Sequence, residues 1–100
     1  MKPKSLILIL FLLTSSLFAY VSGDGEEFIA KYNRHGAILI SVRDPSNKLY
    51  LGKDCDALSK RYGRGFWEWA NGGFIVKFKY KEFGFGRQEL FIENNGKCQM

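Results

Sequence analysis

The sequence predicts an all-β fold: a small antiparallel meander or barrel of about six to seven strands, held by one disulfide. Apolar and polar residues alternate with a period of two over short stretches, as in half-buried strands. Turn-forming pairs such as Asn71-Gly72 separate those stretches. The two cysteines, Cys55 and Cys98, form an even pair that can staple a core too small to be very stable alone. Closure into a barrel would also protect the sheet edges.

The first three strands follow from alternation and turn chemistry. Residues 28–32 alternate, and a turn leads into residues 37–42, which are apolar on both faces and therefore predicted to be a central strand. Asp44-Pro45 begins the next turn, because the proline ring holds φ at a value that suits a β-turn. Residues 48–51 form a third, short strand.

The next stretch, from residue 52 to residue 65, is the longest irregular one, and residues 56–61 within it can form one helical turn. Residues 66–70 then form the fourth strand. Asn71-Gly72 predicts a tight hairpin into a fifth strand at residues 74–80, because both turn residues tolerate positive φ.

The last predicted strand covers residues 83–92, where Gly84 and Gly86 indicate a bulge or bend. A turn at residues 94–96 then brings Cys98 back toward the sheet.

The chain begins with the pattern of a cleaved secretory signal at residues 1–23. Lys2 and Lys4 give a basic start, and an apolar run follows at residues 6–13. The run is shorter than the ~20 apolar residues of a membrane-spanning helix, so a retained anchor is the less favoured alternative. The sequence therefore predicts a periplasmic or secreted protein with no stable membrane anchor after cleavage.

The signal can be cleaved at either of two positions, after Ala19 or after Gly23, because each of these residues is small. The acidic segment that follows Gly23 is typical of an exposed mature start, and it favours the second position. The predicted domain organisation is a signal peptide at 1–23 and a single small β domain at 24–100.

Export would place Cys55 and Cys98 in an oxidising compartment, where an even pair predicts one disulfide. In the chain-entropy model such a long loop contributes roughly 4 kcal/mol. Two free thiols are the alternative. Two cysteines and the single His35 do not make a zinc set, so we expect neither a metal nor a cofactor.

The charge is mildly basic. The chain carries a formal +5, and two of its lysines lie in the predicted signal. This balance suits an anionic cell-wall polymer, a membrane surface or an acidic protein patch, and an ordinary soluble surface explains it equally well. This net charge is smaller than that of a typical nucleic-acid-binding surface, so we expect no nucleic-acid partner.

No catalytic constellation stands out, and we expect no enzymatic activity. His35 is the only histidine, and it lies in a predicted turn. A catalytic serine or cysteine would have to use it as its base. Asp54 and Asp56 flank Cys55 in a loop, which solvation and turn hydrogen bonds explain. Glu68 is a lone carboxylate, and glycoside hydrolysis needs two.

A basic, glycine-containing segment runs into an aromatic strand at residues 60–69. Arginine and aromatic side chains are enriched in binding hot spots, and they also suit sugar faces and anionic groups. The predicted partner-binding residues are Ser59, Lys60, Arg61, Tyr62, Arg64, Trp67, Trp69 and Asn71. Alternatively, the two tryptophans pack in the core, because they point the same way from one strand, and the basic residues only solvate a loop.

Five short motifs follow one another in the second half of the chain: Arg61-Tyr62, Gly65-Phe66-Trp67, Asn71-Gly72-Gly73, Ile75-Val76-Lys77 and Asn94-Asn95-Gly96-Lys97-Cys98-Gln99. Their order resembles the periplasmic inhibitors of C-type lysozyme. The resemblance implies a small exported β-barrel with one disulfide near the C-terminus, and inhibition by a loop that enters the enzyme cleft. Tyr62 and Ser59 are the counterparts of that loop's motif, with Ser59 one position out of register.

The sequence therefore favours a small exported binding protein, most of all an inhibitor or immunity protein against a cell-wall-active, lysozyme-like hydrolase. The alternative is a glycan- or peptidoglycan-binding module that uses the aromatic and basic surface. A small hydrolase is a third possibility, for which no active site is visible. An inhibitor needs a protruding loop, a glycan binder a concave or flat aromatic surface, and an enzyme a cleft with converging polar groups.

Overall fold

The computed structural model describes residues 18–93 and 97–98, and this part of the chain is all-β. Eight antiparallel strands form one sheet in chain order, each paired with the next. The predicted fold class is confirmed, with eight strands in place of six or seven. The strands are β1 Phe18–Val21, β2 Glu27–Asn33, β3 Gly36–Ser41, β4 Lys48–Gly52, β5 Asp56–Ser59, β6 Gly63–Ala70, β7 Gly73–Phe78 and β8 Glu82–Phe85.

Hydrogen bonds between the first and last strands nearly close the sheet into a barrel. The Gly23 N–H, just after β1, donates to the Gly84 carbonyl of β8 at 2.8 Å. Beside it, the Gln88 side chain accepts from the Val21 N–H at 2.7 Å and donates to the Val21 carbonyl at 2.8 Å. One backbone hydrogen bond and the Gln88 side chain therefore satisfy backbone groups at the edge of the sheet, as expected for a nearly closed meander.

One predicted element is wrong. Residues 56–61 do not form a helical turn, because Asp56–Ser59 is strand β5, paired with β4 and β6. Ala57 and Ser59 point into the barrel while Asp56 and Leu58 face outward. Four residues give only two inward positions, one of them a serine, so the period of two is hard to recognise from the sequence alone.

The last strand is shorter than predicted. Strand β8 ends at Phe85, and Arg87 then adopts a φ of 57°, which turns the chain. Leu90 and Ile92 are buried although they lie outside any strand, so this C-terminal segment covers one end of the barrel. The predicted turn at residues 94–96 and the start of the predicted signal, residues 1–17, lie outside the described residues.

Inward-facing side chains of successive strands fill the barrel. Trp67 and Phe28 are completely buried, and Phe74 stacks on Phe85 with ring centroids 4.6 Å apart. Aromatic side chains dominate this core because each buries a large apolar area, which a small domain needs. The buried apolar residues are Tyr20, Phe28, Ala30, Ala37, Leu39, Leu49, Leu51, Ala57, Trp67, Phe74, Val76, Phe78, Phe83, Phe85, Leu90, Ile92 and Cys98.

The predicted disulfide is confirmed. Cys55 and Cys98 are bonded, with their Cα atoms 5.4 Å apart. The carbonyls of Cys55 and Cys98 accept the N–H groups of Trp67 and Trp69 at 2.9 and 2.6 Å. The bridge therefore fills the space beside β6 that the shorter strand β5 leaves open.

The predicted hairpin at Asn71-Gly72 is also confirmed. Ala70 pairs with Gly73, so the loop has two residues, and both have positive φ, 37° at Asn71 and 81° at Gly72. This is the backbone of a type I′ turn, whose twist matches that of the flanking strands.

Candidate binding surfaces

The segment between β5 and β6 is a tight turn. The stretch from residue 52 to residue 65 was predicted to be irregular, but only residues 60–62 lie between the two strands. Ser59 is buried, and its hydroxyl accepts the N–H groups of Arg61 and Tyr62, both at 3.0 Å. Tyr62 packs against Phe78 with ring centroids 5.6 Å apart. Ser59 and Tyr62 therefore hold the turn in place.

Arg61 is tied across the end of the barrel. Its guanidinium lies 2.6 Å from the Asp44 carboxylate in the β3–β4 turn. Hydrogen bonds from Ser46 and from Arg61 lower the pKa of Asp44 to about 2, and the Asp44 contact raises the pKa of Arg61. Both side chains are nearly half exposed, so this ion pair orders the turn and adds little stability. Lys60 and Arg64 are exposed beside it.

The two tryptophans face inward, as the alternative prediction had it. Trp67 is completely buried, and its indole N–H donates to the Gly52 carbonyl at 2.8 Å. Trp69 packs edge-on against it at 5.4 Å and keeps part of its surface exposed. Trp67 offers a partner no accessible surface, whereas Trp69 does.

The predicted site residues fall at two separate places. The β5–β6 turn, with Lys60 and Arg61, precedes strand β6, and Asn71 follows that strand. Eight strand residues span roughly 23 Å at ~3.3 Å per residue, so a compact ligand does not touch both ends. Ser59, Lys60, Arg61, Tyr62 and Arg64 lie at one end, and Trp69 and Asn71 at the other.

A cleft of about 600 Å³ opens at the second end, and we call it the hairpin-end cleft. It lies between the β6–β7 turn and the segment after β8, and its functional groups come from Trp69, Asn71, Arg87, Gln88 and Glu89. This volume is typical of a small-molecule site, and the lining combines an aromatic wall with polar groups. The sequence predicts that Arg87 and Glu89 belong to the last strand, which instead ends at Phe85, and this difference brings both residues to the cleft.

The outer face of strands β3 to β6 carries a row of apolar side chains that we call the outer apolar face. Ile38 pairs with Tyr50, and Tyr50 pairs with Leu58. Phe66 pairs with Asp56 and lies diagonally across from Leu58. Tyr50 is 42% exposed, Leu58 50% and Phe66 46%. Together Ile38, Tyr50, Leu58 and Phe66 form a contiguous patch of the kind that marks an interaction site.

Basic residues border the outer apolar face. Lys31 pairs with Ile38 at one end of the row, and Arg64 pairs with Leu58 at the other. The Lys77 ammonium lies 5.8 Å from the Phe66 ring, within cation–π distance. A shallow depression of about 380 Å³, which His35 helps to line, adjoins Tyr50 and Leu58. Arg64 is the only residue of this surface among the predicted site residues, and Phe66 lies within the predicted binding segment 60–69; the rest of the surface was not predicted.

The polar residues considered for chemistry lie apart. The Asn33 side chain accepts the His35 N–H at 2.7 Å in the β2–β3 turn, and Glu68 lies 3.8 Å from Lys77 on the outer face. Among residues 18–93 and 97–98, no three His, Cys, Asp or Glu side chains are grouped so as to hold a metal. Nor does that part of the chain contain a helix long and apolar enough to cross a membrane.

Comparison of the chain with protein-family models, with curated proteins and with solved structures finds no match. The lysozyme-inhibitor resemblance therefore remains a hypothesis drawn from short motifs.

Proposed function

We propose that this chain is an exported binding protein that acts as an inhibitor or immunity protein against a cell-wall-active, lysozyme-like hydrolase. The observation that carries the proposal is the outer apolar face, on which Tyr50, Leu58 and Phe66 are each about half exposed. The β5–β6 segment is a tight turn and not the protruding loop expected of an inhibitor, so the proposed contact is made by this sheet face. The disulfide is compatible with export, because such bonds persist in oxidising compartments.

The chemistry of this face favours a protein partner. Tyrosine and arginine are the side chains most enriched among hot spots, and leucine and phenylalanine give the apolar area that a partner can desolvate. Tyr50, Leu58 and Arg64 follow one another in register across three strands, so the backbone presents them with little motion. Binding then costs little ordering entropy, because the scaffold is already rigid.

The charge at the border favours an acidic partner surface. Lys31 and Arg64 lie at the two ends of the apolar row, and Lys77 lies beside Phe66. A glycoside hydrolase of the lysozyme type works with a pair of carboxyl groups in its substrate cleft, and basic side chains suit a partner that carries such acidic groups. Asp56 and Glu68 also lie on this outer side, and Glu68 pairs with Lys77, so Lys31 and Arg64 are the basic side chains that an acidic partner surface would meet.

Inhibition of purified hydrolases tests the proposal. The oxidised protein is added to C-type lysozyme and to other peptidoglycan hydrolases, and lysis of cell walls is followed. We expect inhibition by the wild type, at least tenfold weaker inhibition by the Leu58→Ser and Phe66→Ser variants, and no change for Tyr80→Ser. Tyr80 is the control, since it is an exposed tyrosine (88%) that lies in the β7–β8 turn and not in strands β3 to β6.

Two outcomes contradict the proposal. One is the absence of inhibition of every hydrolase in the panel. The other is equal loss in the face variants and in Tyr80→Ser, because the effect would then not come from the outer apolar face.

A second candidate, glycan or peptidoglycan binding, is favoured by the hairpin-end cleft. Trp69 gives an aromatic wall on which a sugar ring can stack, and Asn71, Arg87 and Glu89 give hydrogen-bonding groups at its rim. Sedimentation with insoluble peptidoglycan tests this function. Binding that is lost in Arg87→Ala and kept in Leu58→Ser supports the glycan function, and the absence of binding excludes it.

A further inference from the structure

The first strand contains residues that the sequence assigns to the signal peptide. Strand β1 covers Phe18–Val21, and Tyr20 within it is only 3% exposed. Its ring packs edge-on against Phe74 at 5.6 Å and against Phe85 at 6.2 Å. Tyr20 is thus a buried residue of the aromatic core, like the phenylalanines of the later strands.

The Tyr20 hydroxyl also holds the C-terminal segment. It donates to the Glu89 carbonyl at 2.7 Å and lies 2.5 Å from the Tyr32 hydroxyl. The Tyr32 oxygen in turn accepts the Phe91 N–H at 3.1 Å. Burial, assisted by the Tyr32 hydrogen bond, raises the pKa of Tyr20, so the phenol stays a neutral donor. Without Tyr20, the segment that covers this end of the barrel loses an anchor.

The next three residues close the barrel. The Val21 N–H and carbonyl both bond to Gln88, and the Gly23 N–H donates to the Gly84 carbonyl. Ser22 is buried, and its N–H donates to the Glu26 carbonyl at 2.9 Å, which fixes the turn into β2. Cleavage after Gly23 would remove all of these contacts.

Cleavage after Ala19 would keep them. Ala19 is exposed and pairs only with Ile29 at the start of the sheet, whereas Tyr20 and Val21 keep their partners Phe28 and Glu27. Ala19 is a small residue at the end of the signal pattern, as the signal peptidase requires at the residue before the cut.

We propose that the signal peptidase cleaves this chain after Ala19, so that the exported protein begins at Tyr20 and keeps the buried half of strand β1. The inference rests on the proposed export of the chain. It assigns residues 20–23 to the folded domain, in place of the boundary at Gly23 that the sequence favoured.

The N-terminus of the exported protein tests this directly. The full chain is expressed in a bacterial host that secretes it, and the periplasmic or medium fraction is analysed by N-terminal sequencing and intact mass. Gln replaces the residue before each candidate cut in a matched pair of variants, Ala19→Gln and Gly23→Gln. Both positions are exposed, and an added Cβ at Gly23 meets nothing closer than 3.8 Å, so neither change disturbs the fold.

We expect a Tyr20 terminus in the wild type and in Gly23→Gln, and loss of processing in Ala19→Gln. An Asp24 terminus, or processing that only Gly23→Gln blocks, overturns the inference and leaves the proposed function standing if the product still inhibits a hydrolase. A wild-type chain that keeps its Met1 terminus inside the cell overturns both.

A second measurement does not depend on the host. Chains that begin at Tyr20 and at Asp24 are refolded with the disulfide formed, and their thermal melts are compared. We expect the shorter chain to melt more than about 10 °C lower, because it lacks a core aromatic side chain and the hydrogen bonds that close the barrel. Equal melting temperatures contradict the assignment of Tyr20 to the domain.

Discussion

Replacing both cysteines by serine should remove a large share of the stability of this domain. Cys55 and Cys98 are separated by 43 positions in the chain. Closing a loop of that length in the unfolded state costs entropy worth about 4 kcal/mol at 25 °C in the chain-entropy model. A domain of this size has a total free energy of unfolding of about 4–12 kcal/mol. The Cys55→Ser/Cys98→Ser variant is therefore expected to be marginally folded.

The structure adds a local reason and a convenient probe. The carbonyls of Cys55 and Cys98 accept the N–H groups of Trp67 and Trp69, so loosening the C-terminal segment frees hydrogen bonds along β6. Both tryptophans of the chain lie beside the bridge, and their fluorescence reports on this region. We expect the melting temperature to fall by about 15–30 °C, and the urea midpoint to fall in proportion.

Two controls separate the causes. Wild-type protein reduced before the melt should behave like the double serine variant, because both lack the same cross-link. A Cys55→Gly/Cys98→Ser variant relieves the positive φ of 67° at position 55 and should recover a fraction of the loss. A free energy of unfolding of the double serine variant within about 1 kcal/mol of that of the oxidised wild type would mean that loop closure contributes little to stability.

Three further predictions concern stability. Gly72→Val should lower the free energy of unfolding by about 1–2 kcal/mol, because valine resists a φ of 81°. Gly84→Val lies in an open strand position and should not, so equal melting temperatures of the two variants would contradict the turn. Gly65→Ala puts a Cβ against the Lys77 carbonyl oxygen of β7 and should cost about 1–3 kcal/mol, whereas Gly84→Ala should be neutral or slightly stabilising. Hydrogen bonds, first from serine hydroxyls, lower the pKa of Asp24 and Asp44 to about 2, so their contribution is present above their ordinary pKa and is lost as the pH falls from about 4 to about 2. Over that pH range the melting temperature of the wild type should fall further than that of an Asp24→Asn/Asp44→Asn variant. An equal fall in both proteins would contradict this prediction.

The parts of the fold that depend on local chemistry were predictable. The two-residue turn at Asn71-Gly72 needs positive φ at both positions, and few residue pairs allow that. The disulfide followed from an even cysteine count and a predicted signal. Strand β5 escaped prediction because four residues with one inward serine carry almost no periodic signal. Strand β1 escaped because its residues continue the apolar pattern of the signal.

The candidate surfaces were harder to predict, because they depend on which strands become neighbours. Residues 37–42 are apolar on both faces and were predicted to be a central strand, and β3 does lie between β2 and β4. In a small barrel the second face is the outside, and there Ile38 joins Tyr50 and Leu58 from other strands. Conversely, Ser59 appeared free in the sequence, whereas the turn geometry buries it. Register across strands decides both outcomes, and no single segment encodes it.

The most direct test of the proposed function is a calorimetric titration of the oxidised protein with a lysozyme-like hydrolase, using two tyrosine variants. Tyr50 lies in the centre of the outer apolar face, and Tyr80 lies in the β7–β8 turn. We expect Tyr50→Ser to bind roughly 30-fold more weakly than the wild type, as a hot-spot residue should, and Tyr80→Ser to bind as well as the wild type. Equal affinity of the Tyr50→Ser variant and the wild type, or no binding by the wild type, would contradict it.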